Sequence, residues 1–266
     1  MAPSLTAYQD KINSSQNILI VYGRQAHFGA VAVATCVYLW LRALHKRVTI
    51  VSAAPTTVDL SHLVGINKVK NKLQGENLVI RLPLPASQID KVVSDLDNQA
   101  DRLSLIIKPK NTPDWHEGDT LPVSFQPATY DLIFYLDVRD LADVEAVTLD
   151  NYQFWTDPEH NITFSQYDNP TPISADISEV LGKNVGFAAY WAQFWYANQM
   201  NPDADQASNL LMAMERETDG FKSGQASALD FELAAWLMRQ GGQRAQIDEQ
   251  AAAAFDPAHH LPQIIV

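Results

Sequence analysis

Four short stretches of the chain carry side chains able to hold a metal ion, move a proton or grip an anion. The first, Tyr22-Gly23-Arg24-Gln25-Ala26-His27-Phe28-Gly29, separates two apolar runs. Arg24, Gln25 and His27 could hold a phosphate there with the free amides of a following helix, and Gly23 and Gly29 would let the backbone come close. The same residues also make an ordinary polar turn. The second is Asp137, at the end of the apolar run Tyr130 to Val138. A carboxylate in that position either faces a ligand or caps the next helix. The third, Thr156-Asp157-Pro158-Glu159-His160-Asn161, sets Asp157 beside His160, a pair suited to a metal and equally to a proline-containing turn. The fourth, Glu217-Thr218-Asp219-Gly220-Phe221, offers two carboxylates that could ligate or could close a helix before Gly220.

Those residues need elements to position them, and the hydrophobic pattern supplies a set. Ile18 to Tyr22 reads as a strand, Ala30 to Leu44 as a helix and Arg47 to Ala53 as a second strand. Two strands apolar throughout, joined by a helix, form the right-handed βαβ unit of a parallel sheet covered on both faces. Between 71 and 125 short β-branched segments alternate with Pro, Gly, Asn and Asp, the pattern of antiparallel hairpins. Tyr130 to Val138 is then a buried parallel strand and Tyr152 to Asp157 a further one. Helices are expected over Ser174 to Leu181, Val185 to Met200, Ala204 to Glu217 and Ala226 to Gln240, the last ended by Gly241-Gly242. Aromatic residues at 187, 190, 191, 194, 195 and 196 cover more than one helix face, so that helix is either central to the core or shared with a second copy of the chain.

Composition narrows the function classes. The 266 residues are 47% hydrophobic, enough for a packed core, and the formal charge is -12 with a pI near 4.9. Such a chain has no long-range field for polyanions, which argues against general DNA or RNA binding. The one cysteine, Cys36, excludes an internal disulfide or a thiolate metal cluster. The opening residues show no secretion signal and no apolar run approaches the ~18 residues of a membrane span, so a cytoplasmic, membrane-free protein is expected. Walker and dinucleotide fingerprints, Gly-x-Ser-x-Gly elbows and His-Glu-x-x-His are absent from the sequence.

In order, the βαβ start, the Asp-bearing strand "DLIFYLDV", the loop "DPEHN" with Phe164 after it and the segment "MERETDGFKSGQASALDFELAAWLMRQGG" resemble the DHH phosphoesterase family. The resemblance implies a mainly parallel α/β fold flanked by helices, with an antiparallel β-rich insertion over 71–125 like that of a bacterial oligoribonuclease and phosphatase subgroup. It divides the chain into an N-terminal extension (1–16), a DHH-like domain (17–242) and a C-terminal tail (243–266) too short for the family's usual second domain. Members of the family use pairs of Mn²⁺ or Mg²⁺ ions to cleave short oligonucleotides, cyclic dinucleotides and related phosphates.

The family's first motif, His-x-x-Pro-Asp-x-Asp after strand one, matches Tyr22 to Phe28, where its ligands are missing, His27 is displaced and Arg24 adds positive charge. Asp137 matches the second motif. Aligning the third, Asp-His-His-x-x-Asn, on Asn161 sets Thr156, Asp157 and Pro158 in place of the triplet. Glu217 to Phe221 stands for the fourth, with Glu in place of Asp. Two readings follow. In the first, the dinuclear centre has decayed, no cofactor is needed, and the chain is a pseudoenzyme that binds a nucleotide-like small molecule or a protein partner, with Arg24, Gln25, His27 and Asp219 as anion contacts. In the second, it is a metal-dependent phosphoesterase using Mn²⁺ or Mg²⁺ on a rearranged set of Asp137, Asp157, His160 and Glu217. In either case a homo-oligomer through helix 187–196 is a possible assembly.

Overall fold

The computed structural model describes residues 5–55, 57–73, 77–82, 85–97, 101–111, 121–126, 129–139, 141–145, 147, 157–166, 173–182, 185–224 and 226–244. The chain divides into two compact units, one formed by Met1–Leu73 with Thr129–Val266 and the other by Gln74–Ala128.

In the larger unit, β1 (Asn17–Tyr22), β2 (Arg47–Val51), β3 (Val69–Lys70), β8 (Leu132–Leu136), β9 (Asn161–Ser165) and β10 (Ile177–Val180) form a six-stranded sheet in the order β10-β9-β8-β1-β2-β3. Every neighbouring pair is parallel. All five residues of β8 and β9 and the last five of β1 are buried, as a sheet covered on both faces requires. The parallel pairing of β1 with β2 needs a crossover, and α2 (Phe28–Ala43) provides it. That helix packs against strands of the sheet and also against α4 (Phe187–Ala197) and α5 (Ala204–Glu217). Burial on several sides explains its run of Ala, Val and Gly: residues 29 to 37 are all buried, Cys36 among them. Helix α1 (Leu5–Ser14) buries Tyr8 and Ile12 in the same core, and Tyr8 meets the rings of Phe164 and Phe194. The short α3 (Leu141–Glu145) follows β8, and α6 (Ala228–Arg239) packs on α4 and α5.

In the smaller unit, β4 (Asn77–Ile80) pairs antiparallel with β7 (Val123–Gln126), and β5 (Ile89–Asp97) with β6 (Arg102–Pro109). Val92, Leu96, Leu103 and Leu105 share one face of the β5–β6 ribbon and are exposed.

One element differs in kind from the sequence expectation. Residues 174–181, expected as a helix, contain strand β10, in register with β9 from Ile177↔Ile162 to Val180↔Ser165. The alternation of Ile177 and Glu179, half-buried, with exposed Ser178 and Val180 is the period of an edge strand, and sheet pairing overrides the weak helical pattern. The aromatic helix packs into its own chain: Phe187, Trp191, Phe194 and Trp195 are buried and Tyr190 is half-buried. Tyr196 is exposed and lies edge-on to Trp236. Trp191 makes ring contacts with Phe164, Phe194 and Trp195, and Trp195 with Trp40, so these rings join the helix layer to β9 and α2. The expected strand at Tyr152 to Asp157 falls, except for Asp157, outside the described residues, as does the tail from 245 onward. Among the described residues no helix is long and apolar enough to cross a membrane.

Candidate functional site

Parallel strands deliver their last residues to one edge of the sheet, and there β8 ends at Leu136 and hands the chain to Asp137. Asp137 is fully buried and left-handed, with φ +51°. Aspartate tolerates that conformation better than most residues, yet strain of this kind is held only where the surroundings fix it. They do so here: Gly23 donates its N–H to the Leu136 carbonyl at 3.1 Å, and Asp137 donates its own to the Phe164 carbonyl at 2.8 Å. A Cβ on Gly23 would collide with the Asp137 carbonyl, so the turn after β1 needs glycine at that point.

The Asp137 side chain reaches the start of α2. Its Oδ2 atom lies 2.7 Å from Nδ1 of His27 and also accepts the His27 backbone N–H at 3.3 Å. His27 is the residue that opens α2, and its own side chain makes no capping bond. The carboxylate of Asp137 therefore sits at the positive end of the helix, where an external anion would otherwise be attracted.

A second carboxylate repeats the arrangement from the other side. Glu217, the last residue of α5, accepts the Ala188 N–H in the first turn of α4 at 3.4 Å through Oε1. Its head lies between two glycines: a Cβ on Gly29 would collide with Oε1, and one on Gly186 with Oε2. Burial pushes the Glu217 carboxyl up to about 7, against the pull of the Ala188 amide and the nearby His27. For His27 burial opposes the charged form, but the hydrogen bond and charge of Asp137, joined by the charge of Glu217, outweigh it and raise its pKa. Oδ1 of Asp137, Nε2 of His27 and Oε2 of Glu217 are buried and meet no hydrogen-bond partner among the described residues.

The structure thus brings Asp137, His27 and Glu217 together and leaves the other expected site residues elsewhere. His160 ends the 3₁₀ turn Pro158–His160 that leads into β9, and Asp157 caps that turn. Asp157 accepts the Glu159 N–H at 3.2 Å and pairs with His160 at 3.1 Å. Because Asn161 registers with Ile133 and Phe164 with Leu136, this turn lies at the opposite edge of the sheet from Asp137. The length of β9, ~13 Å at 3.3 Å per residue, separates them. The rearranged set of Asp137, Asp157, His160 and Glu217 does not assemble, because strand direction sends the Asp157 turn to the wrong edge. At the carboxyl end of β9 stand Ser165, which is buried, and Gln166, whose Nε2 donates to the Val185 carbonyl at 2.6 Å. Arg24 is exposed, and Gln25, also exposed, accepts from Arg139 at 2.7 Å. Asp219 is exposed in a turn where Asp219, Gly220 and Phe221 all have left-handed φ.

Beside His27 and Glu217 opens a cavity of about 370 Å³, whose wall includes Gln166, Gly186, Tyr190, Gln193, Met214, Ser227, Leu229, Asp230 and Leu233. Sequence reading missed Gln166, Tyr190, Gln193, Ser227 and Asp230 as site residues. A capping signature at Ser227-x-x-Asp230 marks the start of α6 and could have placed those two at a helix end, though not beside a cavity.

A metal pair of the kind the resemblance implies needs several carboxylates and imidazoles converging on one point. Among the described residues no group of three or more His, Cys, Asp or Glu side chains is arranged to hold a metal ion. Of the cluster at the sheet edge, Asp137 is turned to His27 and Glu217 to the α4 amides. Among the described residues, the donors at this edge do not complete the set that a dinuclear centre needs.

No family model matches the chain, and no curated relative does. Among solved structures, an exopolyphosphatase-related protein from Bacteroides fragilis matches with a TM-score of 0.58 and 11% identity, over 90% of this chain and 57% of that one. A putative family II inorganic pyrophosphatase from Methanococcus jannaschii matches 46% of this chain and 40% of its own, at 18% identity and a TM-score of 0.28. The first likeness is one of fold, and this chain spans little more than half the length of that neighbour. The likeness bears out the expected fold class, a mainly parallel α/β sheet flanked by helices, with antiparallel pairs within residues 77–126.

Proposed function

We propose that this chain is a non-catalytic binding or scaffold protein on a phosphoesterase-like fold, in which the carboxylates of a former metal centre serve as helix caps. One observation carries the reading: Asp137 and Glu217, the two acids best placed to ligate metals, are turned to the N-terminal ends of α2 and α4 with His27 between them. Two further findings support it. Asp157 and His160 stand at the opposite sheet edge, and the position after β9 at the working edge holds Gln166, an uncharged amide that brings no negative charge to a metal pair. The anion contacts expected of Arg24, Gln25 and Asp219 are weakened in the same way, since the start of α2 already holds the protein's own carboxylate. The chain would act through a small ligand or a protein partner. The likeness to an exopolyphosphatase-related protein makes polyphosphate one of the compounds to be tested.

The test is direct. The purified chain is incubated with Mn²⁺ or Mg²⁺ and short oligonucleotides, cyclic dinucleotides, pyrophosphate and polyphosphate, with thermal melting followed in parallel. Neither turnover nor a metal-dependent rise in melting temperature is expected. Metal-dependent turnover that disappears in Asp137→Asn would overturn the reading and restore a phosphoesterase.

A further inference from the structure

The cavity beside Glu217 has a definite chemical character. One part of its wall is apolar, formed by Met214, Leu229, Leu233 and the ring of Tyr190; the other carries the carboxylates of Glu217 and Asp230. None of its described lining residues is a lysine or arginine. Two arginines of the same region are engaged elsewhere: Arg139 with Gln25, and Arg216 with Asp59 and over the ring of Phe28. Oδ2 of Asp230 accepts both the backbone N–H and the hydroxyl of Ser227 at 2.8 Å, which fixes the carboxylate in the wall. The one imidazole among the described lining residues, His27, is already paired with Asp137 at 2.7 Å. A phosphate entering this space would therefore meet the carboxylates of Glu217 and Asp230 without a free counter-charge, and the net charge of -12 adds a repulsive background. A cation meets the reverse. The volume of about 370 Å³ lies at the small end of ligand cavities, ~300–1,000 Å³, so the occupant is compact.

We propose that this cavity binds a small organic amine in its protonated form, with the ammonium group between Glu217 and Asp230 and an apolar body against Leu229, Leu233, Met214 and Tyr190. This assignment rests on the reading of the chain as a binding protein and names the ligand class of that site. The apolar wall supplies affinity without sign preference, and the two acids select charge.

The probe is phenethylamine, titrated calorimetrically into the full chain at pH 8 and low salt beside its neutral counterpart 2-phenylethanol and the anion phenyl phosphate. Phenethylamine is expected to bind, 2-phenylethanol to bind roughly tenfold more weakly, as loss of a charged hydrogen bond implies, and phenyl phosphate not at all. Asp230→Asn and Glu217→Gln should each weaken the amine by about the same factor and leave the alcohol unchanged. Should Glu217→Gln fail to fold, Leu229→Trp narrows the rim without altering charge and is expected to block amine and alcohol together. Absence of amine binding, equal or tighter binding of phenyl phosphate, or amine affinity indifferent to both acid substitutions would overturn the assignment. Hydrolysis of phenyl phosphate with Mn²⁺ in the same preparation would overturn the non-catalytic reading alone. A chain that hydrolyses nothing and binds no amine would overturn only the ligand class.

Discussion

His27 and Asp137, separated by 110 positions in the chain, meet at 2.7 Å between Nδ1 and Oδ2. The contact joins the first turn of α2 to the end of β8, and the aspartate is fully buried. An ionised carboxylate so deep in a protein persists only when paired and hydrogen-bonded, and the imidazole with its backbone N–H provides that pairing.

Removing one partner should therefore cost more than removing both. His27→Ala leaves the Asp137 carboxylate buried without its main donor, and a loss of about 3 kcal/mol in unfolding free energy is expected. Asp137→Asn keeps an acceptor and removes the charge, for a smaller loss of about 1 to 2 kcal/mol. Urea unfolding of both singles and the double variant would give the coupling. A double variant as unstable as the sum of the singles would mean that the pair is not coupled.

Stability should fall as the pH rises from about 5 to 8. The Glu217 carboxyl is raised from 4.5 to about 7 by burial, so the folded state holds a proton that the unfolded chain releases earlier. Its contribution is fully present below the unfolded value and is lost as the pH climbs to about 7. A displacement of that size corresponds to about 3 kcal/mol between the two limits. His27, also raised, acts in the same direction, stabilising below its unfolded value and losing that effect as the pH passes its folded one. Glu217→Gln should flatten the dependence, leaving stability near that of the parent at pH 5 and about 2 kcal/mol above it at pH 8. Melting curves across this range decide it. A parent whose stability rises from pH 5 to 8 would contradict the assignment of a buried, proton-holding Glu217.

Gly29 and Gly186 are fixed by the same side chain. A Cβ at either position would strike the Glu217 carboxylate, and the acid is confined by the α4 amides. Gly29→Ala is expected to destabilise the chain by about 2 kcal/mol, in the range of overpacking. Shortening the acid should relieve the collision, so Gly29→Ala with Glu217→Ala should cost less than the two singles added together. Chemical denaturation of the three variants tests this, and simple additivity would show that the glycine answers to something other than Glu217.

These residues also mark how far sequence reading reached. The β1-α2-β2 unit and the Asp137 strand were legible because each is a short-range pattern of apolar runs ending at one polar residue. Gly23 and Gly29 were legible as places of close approach, but what approaches them was not, and Gly186 gave no signal. The neighbour of Gly29 is Glu217, 188 residues away on another helix, rather than a phosphate. The identity of β10 was hidden for a related reason: four residues alternate too briefly to outweigh a helical pattern until β9 lies alongside. Asp157 and His160 misled through spacing, since an alignment anchored on Asn161 does not say which end of a strand that asparagine occupies.

Asp157 caps a short turn at the amino edge, where its side chain is half exposed, and His160 is nearly as exposed. Removing a cap of this kind costs about 1 kcal/mol or less, and its ion pair, being solvated, adds little. NMR titration of His27 gives a readout that mere stability would not move. Asp137→Asn should lower the His27 titration midpoint, because the neighbouring charge that raises it is gone. Asp157→Ala and His160→Ala should leave that midpoint unchanged, with the sheet standing between the two edges. A shift in His27 on losing Asp157 would mean that the two acids share a site after all, and the case for a dismantled metal centre would lose its geometric basis.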